Sequence, residues 1–241
     1  MSASSANFDR AALSKAAVLV IANATGGRNQ PPFSAPIEPA FSNAEVAAVR
    51  EWVDSGGSLL LIVDHFPWPD ASRNLANALG VHFDSGTAGE PDLRGPLVFR
   101  RSDHSLVDHP IVNGRTAGER VDSVATFTGS AFKVDSGEPL LIFSNPQAFA
   151  VTPKVLGKPS ENDPRTAIQG WLQGAVLRVG KGRVAVFGEA AMFTAQLAGP
   201  ARMPMGMNHP LAKQNTQFAL NVMHWLSGML DDSRPRTPGR R

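Results

Sequence analysis

The chain has no cysteine and no tyrosine among its 241 residues. The first absence excludes disulfides, thiolate metal sites and a cysteine nucleophile together. No apolar run approaches the ~20 residues that a membrane-spanning helix needs. The first ten residues are polar and lack the apolar core of a secretion signal. Composition therefore leaves the compartment open: a soluble chain, cytoplasmic or exported with its signal removed. Charged residues are also scarce, at 18% against 42% hydrophobic, which suits a globular protein of ordinary core size.

A net basic chain with a pI near 9.3 invites a nucleic-acid reading, but the distribution of charge argues against it. Residues 231–241 carry Arg234, Arg236, Arg240 and Arg241 against Asp231 and Asp232, which is +2 and equals the whole formal net charge of +2. Residues 1–230 thus sum to zero. No basic stripe interleaved with aromatics remains to grip a phosphate backbone, so no nucleic-acid partner is expected. The Pro- and Arg-rich end reads as a disordered basic tail after a single domain of residues 1–230.

Strand and helix signals alternate at both ends of the chain. Ala17–Ala22 is an apolar strand ending in Asn23, followed by a Gly/Pro-rich stretch from Gly26 to Pro39 that reads as a lid or a surface loop. Ser42-Asn43-Ala44-Glu45 fits a helix capping box, and Val46, Val49 and Val53 recur at helical spacing before Gly56-Gly57. The run Ser58–Val63 is apolar on both faces, as a central strand would be. A second helix is expected over about 71–79. From about 81 to 150, short β-like runs (96–100, 121–127, 131–134 and 139–143) separated by turn residues indicate a β-rich elaboration. Lys154–Arg165 reads as an exposed loop. A hairpin pairs 175–179 with 183–187 around Gly180-Lys181-Gly182. The last helix, about 212–229, carries Phe218, Val222, Trp225, Leu226 and Met229 on one face. This order predicts an α/β fold built on a doubly wound, mostly parallel sheet flanked by helices.

Ligands of open parallel sheets bind beyond the carboxyl ends of the strands. Two apolar strands here end in acids, Asp64-His65 and Gly188-Glu189. Asp64, His65 and Glu189 are therefore the candidate catalytic residues, acting as general acids or bases or around a divalent metal ion. Asn23, Asn208, His209 and Asn215 are the candidate ligand-binding residues. Asn23 also ends a strand, and Asn208 and His209 adjoin the Met-rich run 203–207. Asn215 falls on the apolar stripe of the last helix, where a polar group needs partners and could brace the Glu189 turn. Asp103-His104 and Asp108-His109 repeat an acid-imidazole pair, read here as a surface turn rather than a metal loop. A Gly-rich phosphate loop, a Gly-x-Ser-x-Gly elbow and a His-Glu-x-x-His helix are all missing.

Phe41-Ser42-Asn43-Ala44-Glu45, Trp52 through Ile62 with Asp64-His65, Gly188 through Phe193, and Asn221 through Leu226 together resemble the class I glutamine-amidotransferase-like superfamily. More narrowly, they resemble its branch of gliding-motility and intraflagellar-transport-type domains and bacterial proteins. The resemblance implies a flavodoxin-like sandwich. It also implies an extra βα unit before the first strand, where only about fifteen residues stand here. In that reading the start is truncated, or another element or a second subunit of a homo-oligomer covers that sheet edge. Without cysteine, glutamine hydrolysis by the amidotransferase route is ruled out. Two functions follow as expectations. One is a hydrolase-like enzyme acting on a small molecule at the carboxyl edge; the other is a non-catalytic sugar- or metabolite-binding or subunit-interaction domain.

Overall fold

The computed structural model describes residue 3 and residues 7–91, 95–158 and 160–231. The expected tail, apart from Asp231, lies outside the described residues. In chain order the strands are β1 (Val18–Ala22), β2 (Ser58–Ile62), β3 (Val81–Phe83), β4 (Thr87–Gly89), β5 (Leu97–Arg100), β6 (Ser123–Thr126) and β7 (Phe132–Val134). There follow β8 (Glu138–Ile142), β9 (Phe149–Val151), β10 (Arg165–Ala167), β11 (Leu172–Val179), β12 (Gly182–Phe187), β13 (Ala195–Ala198) and β14 (Met203–Gly206). The helices are α1 (Arg10–Leu13), α2 (Asn43–Asp54), α3 (Trp68–Ala78), α4 (Pro110–Asn113) and α5 (Asn215–Leu226).

The main sheet has seven strands in the order β1-β2-β12-β11-β7-β3, with β8 also paired to β11. The only parallel pairings among the described strands are β1 with β2 and β2 with β12. The pairings of β11 with β12, β7 and β8, and of β3 with β7, are antiparallel. A three-stranded sheet, β10-β9-β4, and two ribbons, β13-β14 and β5-β6, are antiparallel as well. The expectation of a doubly wound, mostly parallel, flavodoxin-like sheet is therefore corrected to a mixed and mainly antiparallel β architecture. The physical reason is connection length. Parallel neighbours need a crossover of a dozen or more residues, so the turn at Gly180-Lys181 permits only antiparallel return from β11 to β12, while the other antiparallel pairs bring together segments distant in the chain.

Local signals position the parallel part as expected. Ser42 and Glu45 form the capping box that starts α2, and every residue of β2 is buried. Alternate β2 and β12 residues face opposite cores. Leu59, Leu61, Val184 and Val186 pack with Val49 and Val53 of α2 and Leu75 of α3. Leu60, Ile62, Ala185 and Phe187 pack with Phe218, Val222, Trp225 and Leu226 of α5. Met229 is the exception to the predicted stripe: it lies past the end of α5 and is exposed.

The Gly26–Pro39 stretch and the loop after β9 are pinned to each other. Ala35 N–H donates to Lys154 O, and Leu156 N–H donates to Phe33 O, each at 3.0 Å. Asn29 closes the first loop internally by pairing with the backbone of Glu38. β1 is the outer strand of the sheet, and Val20 on it is 44% exposed.

Candidate functional site

β2 and β12 are parallel and in register, with Phe187 opposite Ile62, so their carboxyl ends present Asp64 and Glu189 at one edge. Asn23 ends β1 at the same level. It adopts a left-handed backbone (φ 51°), which Asn tolerates better than most residues. Its Oδ1 accepts the Asp64 N–H at 2.9 Å. The structure thus brings Asn23, Asp64, His65 and Glu189 together.

Most of that chemistry is engaged internally. Asp64 is buried. It accepts hydrogen bonds from His65 N–H (2.8 Å), Thr128 Oγ1 (3.2 Å) and Ala190 N–H (3.3 Å). Glu189 is fully buried, and its two oxygens accept the N–H groups of Ala191 (2.9 Å) and Met192 (2.6 Å). Burial first, and the neighbouring Asp64 charge second, push its pKa up to about 8 despite those backbone bonds. At neutral pH the Glu189 carboxyl therefore holds a proton most of the time.

His65 is the more accessible member. Its Nδ1 lies 2.8 Å from Phe66 O and so carries the ring proton. Its Nε2 is 4.0 Å from Asp64 Oδ1, and the ring leans on Trp68 with centroids 5.0 Å apart. Among the described residues no group of three or more His, Asp or Glu side chains is arranged to hold a metal ion. The trio Asp64, His65 and Glu189 is an acid pair with an imidazole alongside it, and not a ligand cage.

A feature invisible in the sequence closes the crevice. The segment from Phe127 to Ser130 crosses the carboxyl ends of β2 and β12. Ser130 N–H donates to Gly188 O (2.6 Å), Ser130 Oγ donates to Val63 O (2.9 Å), and Gln173 Nε2 donates to Thr128 O (3.0 Å). Two glycines make the approach possible. A Cβ on Gly129 would stand 2.3 Å from Gly188 O, and one on Gly188 would stand 2.3 Å from Ser130 O. Thr128, Ser130 and Gln173 are thus edge residues that sequence reasoning missed. The one available signal was Gln173, a lone amide in an apolar strand.

The other sequence-selected residues lie further out. Asn215 Nδ2 donates to Ala125 O (2.7 Å) and Met192 O (3.3 Å), while its Oδ1 accepts Ala125 N–H (3.0 Å). It ties α5 to β6 and to the turn that Glu189 caps. Asn208 is exposed and donates to Gln196 O across the β13–β14 ribbon. His209 meets the edge only through its ring contact with Phe127 (5.4 Å). Of the acid-imidazole pairs, His109 is buried, which corrects the surface reading for that residue.

On the far side of β11, the same edge is open. β8 and β12 both run antiparallel to β11, so they point the same way. Beyond the end of β8 lies a cleft of about 340 Å³. It is lined by Leu97, Phe99 and Phe143 and by polar residues at Glu90, Arg100 and Asn145. Asn145 Nδ2 donates to Glu90 Oε2 at 3.0 Å.

No family model matches the chain, and no curated protein matches its sequence. Among solved structures, an IFT52 N-terminal domain superposes with a TM-score of 0.57 at 13% identity, covering 91% of this chain and 81% of that one. Two cytoplasmic proteins of Salmonella typhimurium, one of them from strain LT2, superpose with TM-scores of 0.48 and 0.49 at 15% and 14% identity. Each match covers 91% of this chain and 75% of the other. The first of these likenesses shows a fold shared with the IFT52 N-terminal domain, which is consistent with the intraflagellar-transport-type resemblance. At these identities the likeness extends to fold alone and does not establish membership of the glutamine-amidotransferase-like superfamily. Neither hydrolase nor amidotransferase chemistry finds support among these matches, and both descriptions are withdrawn along with the flavodoxin-like one. Among the described residues no helix is long and apolar enough to cross a membrane.

Proposed function

We propose that the chain is a non-catalytic domain that binds a small polar metabolite, such as a sugar, in the cleft beyond β8. The observation that supports this reading is the contrast between two parts of one edge. At the ends of β2 and β12 the acids are buried and bonded to backbone, and the Phe127–Ser130 crossing fills the space a substrate would need. At the end of β8 an open cleft sits over the buried rings of Phe99 and Phe143 and is lined by several polar groups, Glu90, Arg100, Asp103 and Asn145 among them, which can fix a small polar ligand. A carboxylate and an amide on one side of the cleft, Glu90 and Asn145, suit the vicinal hydroxyls of a sugar.

Acid–base catalysis at the Asp64–Glu189 edge is the second reading, and the proton held on Glu189 near neutral pH favours it. Calorimetric titration of a monosaccharide and metabolite panel separates the two. Saturable binding weakened by Glu90→Gln or Asn145→Ala, without turnover of the ligand, upholds the binding reading. Turnover abolished by Glu189→Gln overturns it.

A further inference from the structure

A second cavity opens at the opposite pole of the sheet, where β8 begins and the β11–β12 hairpin turns. Its volume is about 320 Å³, and His109, Arg115, Glu138, Arg178, Trp225 and Asp231 are among its lining residues. No part of the carboxyl edge contributes to it.

His109 carries the argument. Its side chain is 3% exposed. Its Nδ1 accepts the Ile111 N–H at 3.1 Å, so the ring proton must sit on Nε2. Burial favours that neutral form. His109 lines the cavity, and among the described residues its Nε2–H makes no hydrogen bond: Glu138 Oε2 is 3.8 Å away, beyond hydrogen-bond distance. A metal is excluded at this atom, because Nε2 has no lone pair to give.

The surrounding charges select the ligand further. Arg115 is paired with Glu119, and Arg183 with Asp231. Arg178 approaches Asp231 only at 3.5 Å, is half exposed, and has its guanidinium held over the Trp225 ring at 5.3 Å. Arg178 and Arg183 share the single carboxylate of Asp231, so one cation in excess and one anion, Glu138, flank an obligatory N–H donor. A simple anion would meet repulsion from Glu138, and a simple cation would meet it from Arg178. A molecule carrying both charges meets neither.

We propose that this cavity binds a small zwitterion of the α-amino-acid class. Its carboxylate accepts from His109 Nε2–H and the Arg178 guanidinium, and its ammonium donates to Glu138. The volume lies at the small end of ligand sites, roughly 300–1,000 Å³, which suits a molecule of that size.

The test is calorimetric titration of the full chain with each of the twenty free L-amino acids, with acetate and with methylammonium. The expected result is one-to-one saturable binding of at least one amino acid, with acetate and methylammonium at least roughly tenfold weaker, a difference of about 1.4 kcal/mol. Glu138→Gln and Arg178→Gln change exposed side chains and should keep the fold, as circular dichroism would verify. Each should weaken binding by roughly tenfold or more. Absence of saturable binding for all twenty, equal binding of acetate, or binding unchanged in both variants would overturn the proposal. So would binding lost instead in Glu90→Gln, which would assign the ligand to the cleft beyond β8.

Discussion

Asp64 accepts a hydrogen bond from the N–H of Ala190, which sets its carboxylate beside the buried carboxyl of the preceding residue, Glu189. The two acids come from strands more than a hundred residues apart in the chain and share one low-dielectric pocket. The electrostatic consequence is a proton stored in the fold. The mechanical one is a turn at 190–192 locked to the end of β2.

Glu189 makes stability depend on pH with a defined sign. Its folded pKa, about 8, stands above the ordinary 4.5, so the folded state binds the proton more tightly than the unfolded chain does. The contribution is fully present below about pH 4.5 and is lost as pH rises through about 8. At ~1.36 kcal/mol per pH unit, the loss is at most roughly 5 kcal/mol. Urea unfolding at pH 5, 7 and 9 should show stability falling across that range. Glu189→Gln should lower the stability at pH 5, because an amide NH₂ would face a backbone N–H, and should flatten the slope. An unchanged slope in that variant would assign the pH dependence elsewhere.

Gly129 is where the crossing segment comes closest to the strand ends. Its φ is +114°, and an added Cβ would meet Gly188 O at 2.3 Å and Gln173 Nε2 at 2.7 Å. Gly129→Ala should cost ~3 kcal/mol or more, the sum of backbone strain and overpacking. Gly170 also has a positive φ (+77°) but faces open space. Gly170→Ala should therefore cost only about 1 kcal/mol. Thermal melts of the two variants side by side isolate the close approach from the dihedral.

Asn215→Ala removes an amide that satisfies both backbone groups of Ala125 and one of Met192. Buried groups left without partners cost about 1–3 kcal/mol each. The variant should lose roughly 2–4 kcal/mol in chemical denaturation, allowing for partial relaxation. Since Met192 N–H bonds Glu189, the loosened turn should also admit water and lower the Glu189 pKa. That would appear as a stability slope shifted to lower pH.

The sequence made α2, β2 and the hairpin legible because each carries its own local signal. Ser42 and Glu45 start a helix wherever they stand three apart before an apolar stripe, and a five-residue apolar run can only be buried. β4, β9 and β10 carry no such signal. They are three residues long, without alternation, and their pairing is set by contacts between segments distant in the chain. The same limit applies to the site. Strand ends bearing Asp64 and Glu189 were readable as neighbours, and nothing local in Thr128 or Ser130 announces that their segment fills the crevice between them. His109 misled for a related reason: Asp108-His109-Pro110 has the composition of a surface turn, and only packing against Trp225 buries the ring.

Asp64→Asn tests whether the two acids are coupled as their contacts require. The substitution keeps an oxygen to accept from His65 N–H and Thr128 Oγ1, and it removes the negative charge that faces Glu189. Of the two causes that raise the Glu189 pKa, burial is the larger and stays, while the Asp64 charge goes. The pH at which stability is lost should therefore move downward without reaching 4.5. The Asn NH₂ now faces the Ala190 N–H that Asp64 Oδ2 accepted, so a constant penalty of about 1–3 kcal/mol should appear at every pH. Carbon-detected NMR titration of the Glu189 carboxyl, in wild type and variant, reads the shift directly. In the Asp64→Asn, Glu189→Gln double variant the slope should vanish, because its titrating group is gone, while the constant penalty remains. A Glu189 midpoint identical in wild type and Asp64→Asn would mean that burial alone stores the proton, and Asp64 would then be a brace with no electrostatic role.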